Sequence, residues 1–178
     1  MFFTETKLAG AHILDIDKKA DNRGFFARIF CARELAEVGL KPDVAQVNLC
    51  FNPTQGTLRG MHFQVPPATE TKLVRCTRGA IYDVIVDLRP DSPTYLQHVG
   101  VELTADNYRA LFVPQMFAHG YQTLTPDAEV SYIVSEFYTP GCERGLRHND
   151  PKLNIEWPLP INLISDKDSQ WPLLDEAT

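Results

Sequence analysis

A chain of 178 residues, 44% hydrophobic and 22% charged, has the length and composition of a soluble globular protein with one domain over residues 1–178. Its formal net charge of −6 argues against a general nucleic-acid-binding face, and no apolar run approaches the ~20 residues of a membrane helix. Met1 to Thr6 carry no basic stretch followed by a long apolar one, so no export signal is read and a cytoplasmic location is expected. Cys31, Cys50, Cys76 and Cys142 are widely spaced, form no CxxC pair and are expected to be reduced thiols.

Arg23-Gly24-Phe25-Phe26 combines a cation with aromatic surface, or reads as a turn followed by core phenylalanines. Ala32 to Val38 is the best helix, closed by Gly39 in a C-cap position. Val44 to Phe51 is rich in β-formers, and alternation puts Gln46 and Asn48 on one face. Thr57 to Gln64 lies in a β-patterned region, and Lys72 opens a strand-like run in which it shares a face with Val74 and Cys76. From Ile81 to Leu88, one face carries Tyr82, Val84, Val86 and Leu88, the other Ile81, Asp83, Ile85 and Asp87. Val99–Leu103, Arg109–Val113 and Val130–Phe137 extend the series, and continuing the last one puts Tyr132 and Tyr138 on the same face. Phe117-Ala118-His119-Gly120 reads as a turn. Further turn residues stand at Asn52-Pro53, Arg78-Gly79, Arg89-Pro90, Thr125-Pro126-Asp127 and Pro140-Gly141. Short strands with this regular punctuation argue for an all-β closed or sandwiched antiparallel sheet, a jelly-roll or a β-sandwich.

Arg59, His62 and Lys72 stand within fourteen positions. A histidine exchanges a proton near neutral pH. An arginine grips a phosphate or carboxylate, and a lysine neutralises an oxyanion. Together they point to proton transfer on a charged substrate. In a regular strand Arg59 and His62 face opposite sides, and a bulge at Gly60 would bring them together. A base needs a partner to fix its tautomer, and Asp83, on a strand, is one candidate. The histidines His12, His62, His98, His119 and His148 are isolated, with no HxH, so no metal site is expected. The chain has no dinucleotide fingerprint, P-loop or GxSxG elbow, which removes the main support for redox, phosphoryl-transfer and serine-hydrolase readings.

The stretch Thr57-Leu58-Arg59-Gly60-Met61-His62-Phe63-Gln64, with Lys72-Leu73-Val74-Arg75 after it, resembles the dTDP-4-dehydrorhamnose 3,5-epimerase family. The likeness continues through Phe117-Ala118-His119-Gly120, Tyr132 with Tyr138, Glu143-Arg144-Gly145 and Ser165-Asp166-Lys167-Asp168. It runs from about Arg23 to about Asp168 in matching order and spacing. The resemblance implies a cupin-type double-stranded β-helix, the jelly-roll, with minor short helices, and a homodimer that needs no cofactor. It implies a dTDP-linked 4-keto-6-deoxysugar as substrate, epimerised at C3 and C5. His62 would be the general base oriented by Asp168, Lys72 would stabilise the enolate, and Tyr132 would be the acid. Arg23, Phe26, Gln46, Asn48, Arg59, His119, Tyr138, Glu143 and Lys167 would bind the substrate, Arg23 at the nucleotide phosphates. The chain departs from the family pattern in two places: Ile133 stands where a lysine is frequent, and Arg28 where a glutamate commonly helps hold the nucleotide. That charge reversal bears on the nucleotide or on the contact between subunits. The rival readings are a mono-epimerase acting at C3 or C5 alone and a sugar-nucleotide-binding paralogue without turnover.

Overall fold

The computed structural model describes residues 1–40 and 43–175. The chain opens with β1 (Phe2–Glu5) and β2 (His12–Asp15), then a separate hairpin of β3 (Lys19–Asp21) and β4 (Gly24–Phe26). Helix α1 (Ala32–Glu37) follows, then β5 (Gln46–Asn52), β6 (Thr57–Gln64), β7 (Lys72–Arg78), β8 (Ala80–Asp87) and β9 (His98–Thr104). The series ends with β10 (Ala110–Val113), β11 (Phe117–Thr123), β12 (Ala128–Val134), β13 (Glu143–Gly145), β14 (Leu163–Ile164) and α2 (Asp166–Ser169). One sheet has the order β1-β2-β10-β7-β12-β5 and the other β13-β6-β11-β8-β9, with β14 joined parallel to β6. From β5 to β8 and again from β9 to β13, successive strands alternate between the two sheets. This winding is the double-stranded β-helix of a cupin jelly-roll.

Both faces of 81–88 are largely buried because both are covered. Ile81 and Ile85 enter the core between the sheets with Val74, Leu111, Val113 and Val130. Val84 and Val86 pack on the opposite side against Met61, Ala118, Leu146 and Leu153, so the C-terminal segments cover the outer face of the second sheet. On the first sheet, Leu35 of α1 and Leu40 bury Leu14, Leu73, Ala110 and Phe112. Helix α1 ends where expected: the Gly39 N–H donates to the Ala36 carbonyl at 3.0 Å, and Gly39 takes a φ of +77°.

Two expectations need correction. Phe117-Ala118-His119-Gly120 is the start of strand β11, hydrogen-bonded to β6 on one side and β8 on the other. Pairing on both sides holds residues of low β-propensity extended. The second correction concerns Tyr138, which does not continue the strand of Tyr132, because β12 stops at Val134. Beyond it, side chains replace the ladder as backbone partners. The N–H groups of Phe137, Tyr138 and Thr139 donate to Glu136 Oε1, Gln46 Oε1 and Gln64 Oε1 at 2.8, 3.2 and 2.8 Å. Strands β1, β2, β3, β4, β13 and β14 lie outside the predicted runs, and the phenylalanines of β4 are exposed, not core. Among the described residues no helix is long and apolar enough to cross a membrane. The four cysteines are free thiols.

Candidate active site

The site begins with an irregularity in β6. His119 pairs with His62 and Tyr121 with Arg59, so three steps along β6 match two along β11. The extra residue is a bulge. Gly60 permits it: its φ is +118°, and a Cβ there would lie 2.5 Å from Gly120 Cα. The bulge turns Arg59 and His62 into the same cavity.

His62 Nε2 donates to Asp168 Oδ1 at 2.6 Å. The other carboxylate oxygen, Oδ2, accepts the Gly60 N–H at 3.2 Å. Asp168 is delivered by α2, whose N-terminal residue Ser165 accepts the Asp168 N–H on its hydroxyl at 3.1 Å. Burial alone would push the Asp168 carboxyl up. The hydrogen bond and charge of His62, with the Gly60 and Ser165 contacts, outweigh it and hold the group below the usual carboxylate range. An ionised Asp168 keeps the proton of His62 on Nε2 and leaves Nδ1 as the unprotonated ring nitrogen. Asp83 has a different partner: His119 Nε2 donates to its Oδ1 at 2.7 Å. Two His–Asp pairs therefore stand side by side, their histidines on the neighbouring strands β6 and β11. Trp171 meets the His62 ring edge-on, with centroids 6.1 Å apart.

The cavity has two lobes of about 150 and 170 Å3, and His62, Lys72 and Tyr132 line both. The first lobe adds Gln46, Asn48, Glu70, Tyr138 and Glu143. The second adds Cys50, Arg59, His119, Tyr121 and Asp168. His62 projects from the second sheet, Lys72 and Tyr132 from the first, so the histidine and the phenol approach the cavity from opposite walls. Lys72 Nζ lies 3.1 Å from Glu70 Oε1 and 3.5 Å from the His62 carbonyl. Burial pushes the Tyr132 phenol up to about 12, helped by Cys50 and Glu70 and opposed by the charge of Arg59. A phenol is protonated at neutral pH even unshifted, and burial keeps Tyr132 in that form.

At the mouth, Glu143 Oε2 accepts from Tyr138 Oη at 3.3 Å and from Lys167 Nζ at 2.5 Å. The chain does not bring Arg23 and Phe26 to this cavity. Both belong to the β3–β4 hairpin. Arg23 is held by Asp21 at 2.6 Å with 84% of its side chain exposed, and Phe26 is 71% exposed. Arg28 pairs with Glu34 on α1 at 2.5 Å. The sequence marks Cys50 only as a thiol and Asn52, the last residue of β5, only as a turn residue, and does not single out Glu70. Alternation carries a signal for all three, since Glu70 is two before Lys72, and Cys50 and Asn52 continue the face of Gln46 and Asn48. Among the described residues no group of three or more histidine, cysteine or acidic side chains is arranged to hold a metal ion.

A sequence model of the dTDP-4-dehydrorhamnose 3,5-epimerase family matches residues 5–176. A protein of Sinorhizobium fredii with the same name is 41% identical over 181 aligned positions, which cover 99% of this chain and 91% of that one. The crystal structure of dTDP-4-dehydrorhamnose 3,5-epimerase from Bacillus anthracis with TDP and PPi bound superposes with a TM-score of 0.93 at 43% identity, covering 97% of this chain and 99% of its own. The Legionella pneumophila dTDP-6-deoxy-D-glucose-3,5-epimerase in complex with dTDP-4-keto-L-rhamnose superposes at 0.92 with 35% identity, covering 99% and 94%. In fold and sequence, the chain belongs to the dTDP-4-dehydrorhamnose 3,5-epimerase family.

Proposed function

We propose that this protein inverts C3 and C5 of dTDP-4-dehydro-6-deoxyglucose, yielding dTDP-4-dehydrorhamnose for rhamnose biosynthesis. The observation that carries the mechanism is the pairing of His62 with Asp168 on one wall of a cavity whose opposite wall bears the protonated phenol of Tyr132. The C4 ketone acidifies the neighbouring C–H bonds. His62 Nδ1 removes one of these protons, and the electron pair moves onto the C4 oxygen as an enolate. Lys72, on the same cavity, stabilises that oxygen; a positioned donor of this kind is worth about 3 kcal/mol in other enzymes. Tyr132 returns a proton to the opposite face; His62 then releases its proton to solvent and Tyr132 regains one from it, and the same cycle acts on the second carbon. The ketone itself is the electron sink. Gln46, Asn48, Arg59, His119, Tyr138, Glu143 and Lys167 line the cavity or its mouth and hold the substrate.

Arg23 and Phe26 fit this reading through a second copy of the chain. Strand β5 is the edge of its sheet, and its outer face exposes Val47, Leu49 and Phe51 at 64, 62 and 48%. A homodimer covers this face and lets the β3–β4 hairpin of one protomer reach the cavity of the other. Subunit complementation tests this arrangement. Mixing inactive His62→Ala and Arg23→Ala proteins restores activity if each site draws on both chains, and restores none if each site is complete within one.

The activity is tested by incubating the protein with dTDP-4-dehydro-6-deoxyglucose in D2O and following both carbons by NMR. Deuterium at C3 and C5 with inversion is the expected result. Incorporation at one carbon identifies a mono-epimerase, and none at either identifies a binding protein without turnover.

A further inference from the structure

Asn52 lies at the end of β5, fully buried, and its side-chain hydrogen bonds have one consistent assignment. The Ala128 carbonyl can only accept, so the Asn52 Nδ2 group faces it at 3.3 Å and also donates to Tyr121 Oη at 3.3 Å. That orientation points Oδ1 at Arg59, whose Nε donates to it at 2.7 Å. The contact occupies the inner edge of the guanidinium. The two terminal NH2 groups form the fork that grips a phosphate, and the Arg59 side chain lines the cavity beside His62 and Tyr132.

The chemistry of the partner matters as much as its place. A neutral amide orients the guanidinium without cancelling its charge. A carboxylate here would orient it equally well but would form an ion pair with it. Each carboxylate oxygen is also an acceptor, so one would face the Ala128 carbonyl with no proton between them.

We propose that Asn52 is a positioning residue that aims Arg59 at the anionic diphosphate of the nucleotide sugar while leaving its charge available. The inference rests on the reading of the cavity as a dTDP-sugar site.

The test is a double-mutant cycle read by calorimetric titration with dTDP, together with steady-state kinetics. Asn52→Asp is expected to weaken dTDP about ten- to a hundredfold, the worth of one hydrogen bond to a charged group. KM should rise in parallel while kcat stays within about threefold, because a binding interaction is lost and the proton-transfer groups are untouched. Asn52→Ala, which removes the acceptor without adding a charge, should lose less, about five- to tenfold, and serves where the buried carboxylate prevents folding. In an Arg59→Ala background neither Asn52 substitution should weaken dTDP further. Additive losses would overturn the proposal, since they would mean that Asn52 acts on the fold and not through Arg59. Wild-type affinity in a folded Asn52→Asp protein, or a loss confined to kcat, would overturn it too. If the unmodified protein fails to bind dTDP, the reading of the site falls, and the inference falls with it.

Discussion

Replacing Asp168 with asparagine isolates the most exposed element of the mechanism, the tautomer of His62. The carboxylate accepts two donors, His62 Nε2 at 2.6 Å and the Gly60 N–H at 3.2 Å. An amide can accept only one of them through its oxygen. If the oxygen faces His62, the NH2 group meets the Gly60 N–H donor to donor, and a buried backbone N–H loses its partner at a cost of about 1–3 kcal/mol. If the oxygen faces Gly60, the NH2 group donates to Nε2. The ring proton is then forced onto Nδ1, the atom that must take the proton from the substrate. The second arrangement keeps the buried backbone satisfied and is the one expected. Loss of the hydrogen bond to a charged partner alone, about 1.5–3 kcal/mol, corresponds to roughly 10- to 150-fold in rate. The inverted tautomer raises the loss further, and in a serine-protease His–Asp pair the same substitution costs about 10⁴ in kcat in total. The expected fall is therefore about 10³–10⁴, with the fold intact by circular dichroism. Asp168→Ala removes the orienting group but forces no tautomer, so the truncation should be no worse than the near-isosteric change. The assay is deuterium wash-in at C3 and C5 of dTDP-4-dehydro-6-deoxyglucose by NMR. A folded Asp168→Asn protein exchanging within tenfold of wild type would show that Nδ1 is not the base and that the assigned geometry is wrong.

Tyr132→Phe should keep proton exchange through His62 and Lys72 while inverted product falls about 10²–10⁴-fold, and equal loss of exchange and inversion would make Tyr132 a binding group instead. His98 and His148 are held below the ordinary histidine range, chiefly by burial, so on acidification below about pH 6.5 the unfolded chain takes up protons before the native one does. Melting temperature should accordingly fall as pH drops through that window, and His148→Gln should flatten the slope; an unchanged slope would remove His148 as a cause. Chelators should leave turnover unchanged, and elemental analysis should find no stoichiometric transition metal; one metal per chain, lost together with activity, would require a different mechanism.

Much of the jelly-roll was legible because its strands alternate or run apolar for a physical reason. Residues 81–88 are largely buried on both faces because one face meets the core between the sheets and the other the C-terminal cover. The helix and its Gly39 stop were legible because they depend on local backbone chemistry. What stayed hidden depends on partners distant in the chain. Nothing in Ala118-His119-Gly120 announces a strand, and only the ladders to β6 and β8 make it one. The end of β12 is equally non-local, since Gln46 and Gln64 capture the N–H groups of Tyr138 and Thr139 from elsewhere in the sequence.

The same division runs through the site. His62 and Lys72 drew notice because cations and a histidine clustered in an apolar stretch, and a bulge at Gly60 was the geometry that would unite Arg59 with His62. Whether His62 paired with Asp83 or Asp168 could not be read from spacing, because both assignments satisfy a histidine. The structure separates them through register. His119 lies opposite His62 on β11 and Tyr121 opposite Asp83 on β8, so Asp83 stands in reach of His119. Asp168 arrives from a short helix more than a hundred positions away in sequence, and one of its oxygens is fixed by the backbone of Gly60. That residue therefore has two roles. Its missing side chain lets β6 bulge against Gly120, and its N–H holds the carboxylate that orients His62. Fold and mechanism meet at one glycine, which is why a strand irregularity that costs ladder pairing persists at the centre of the cavity.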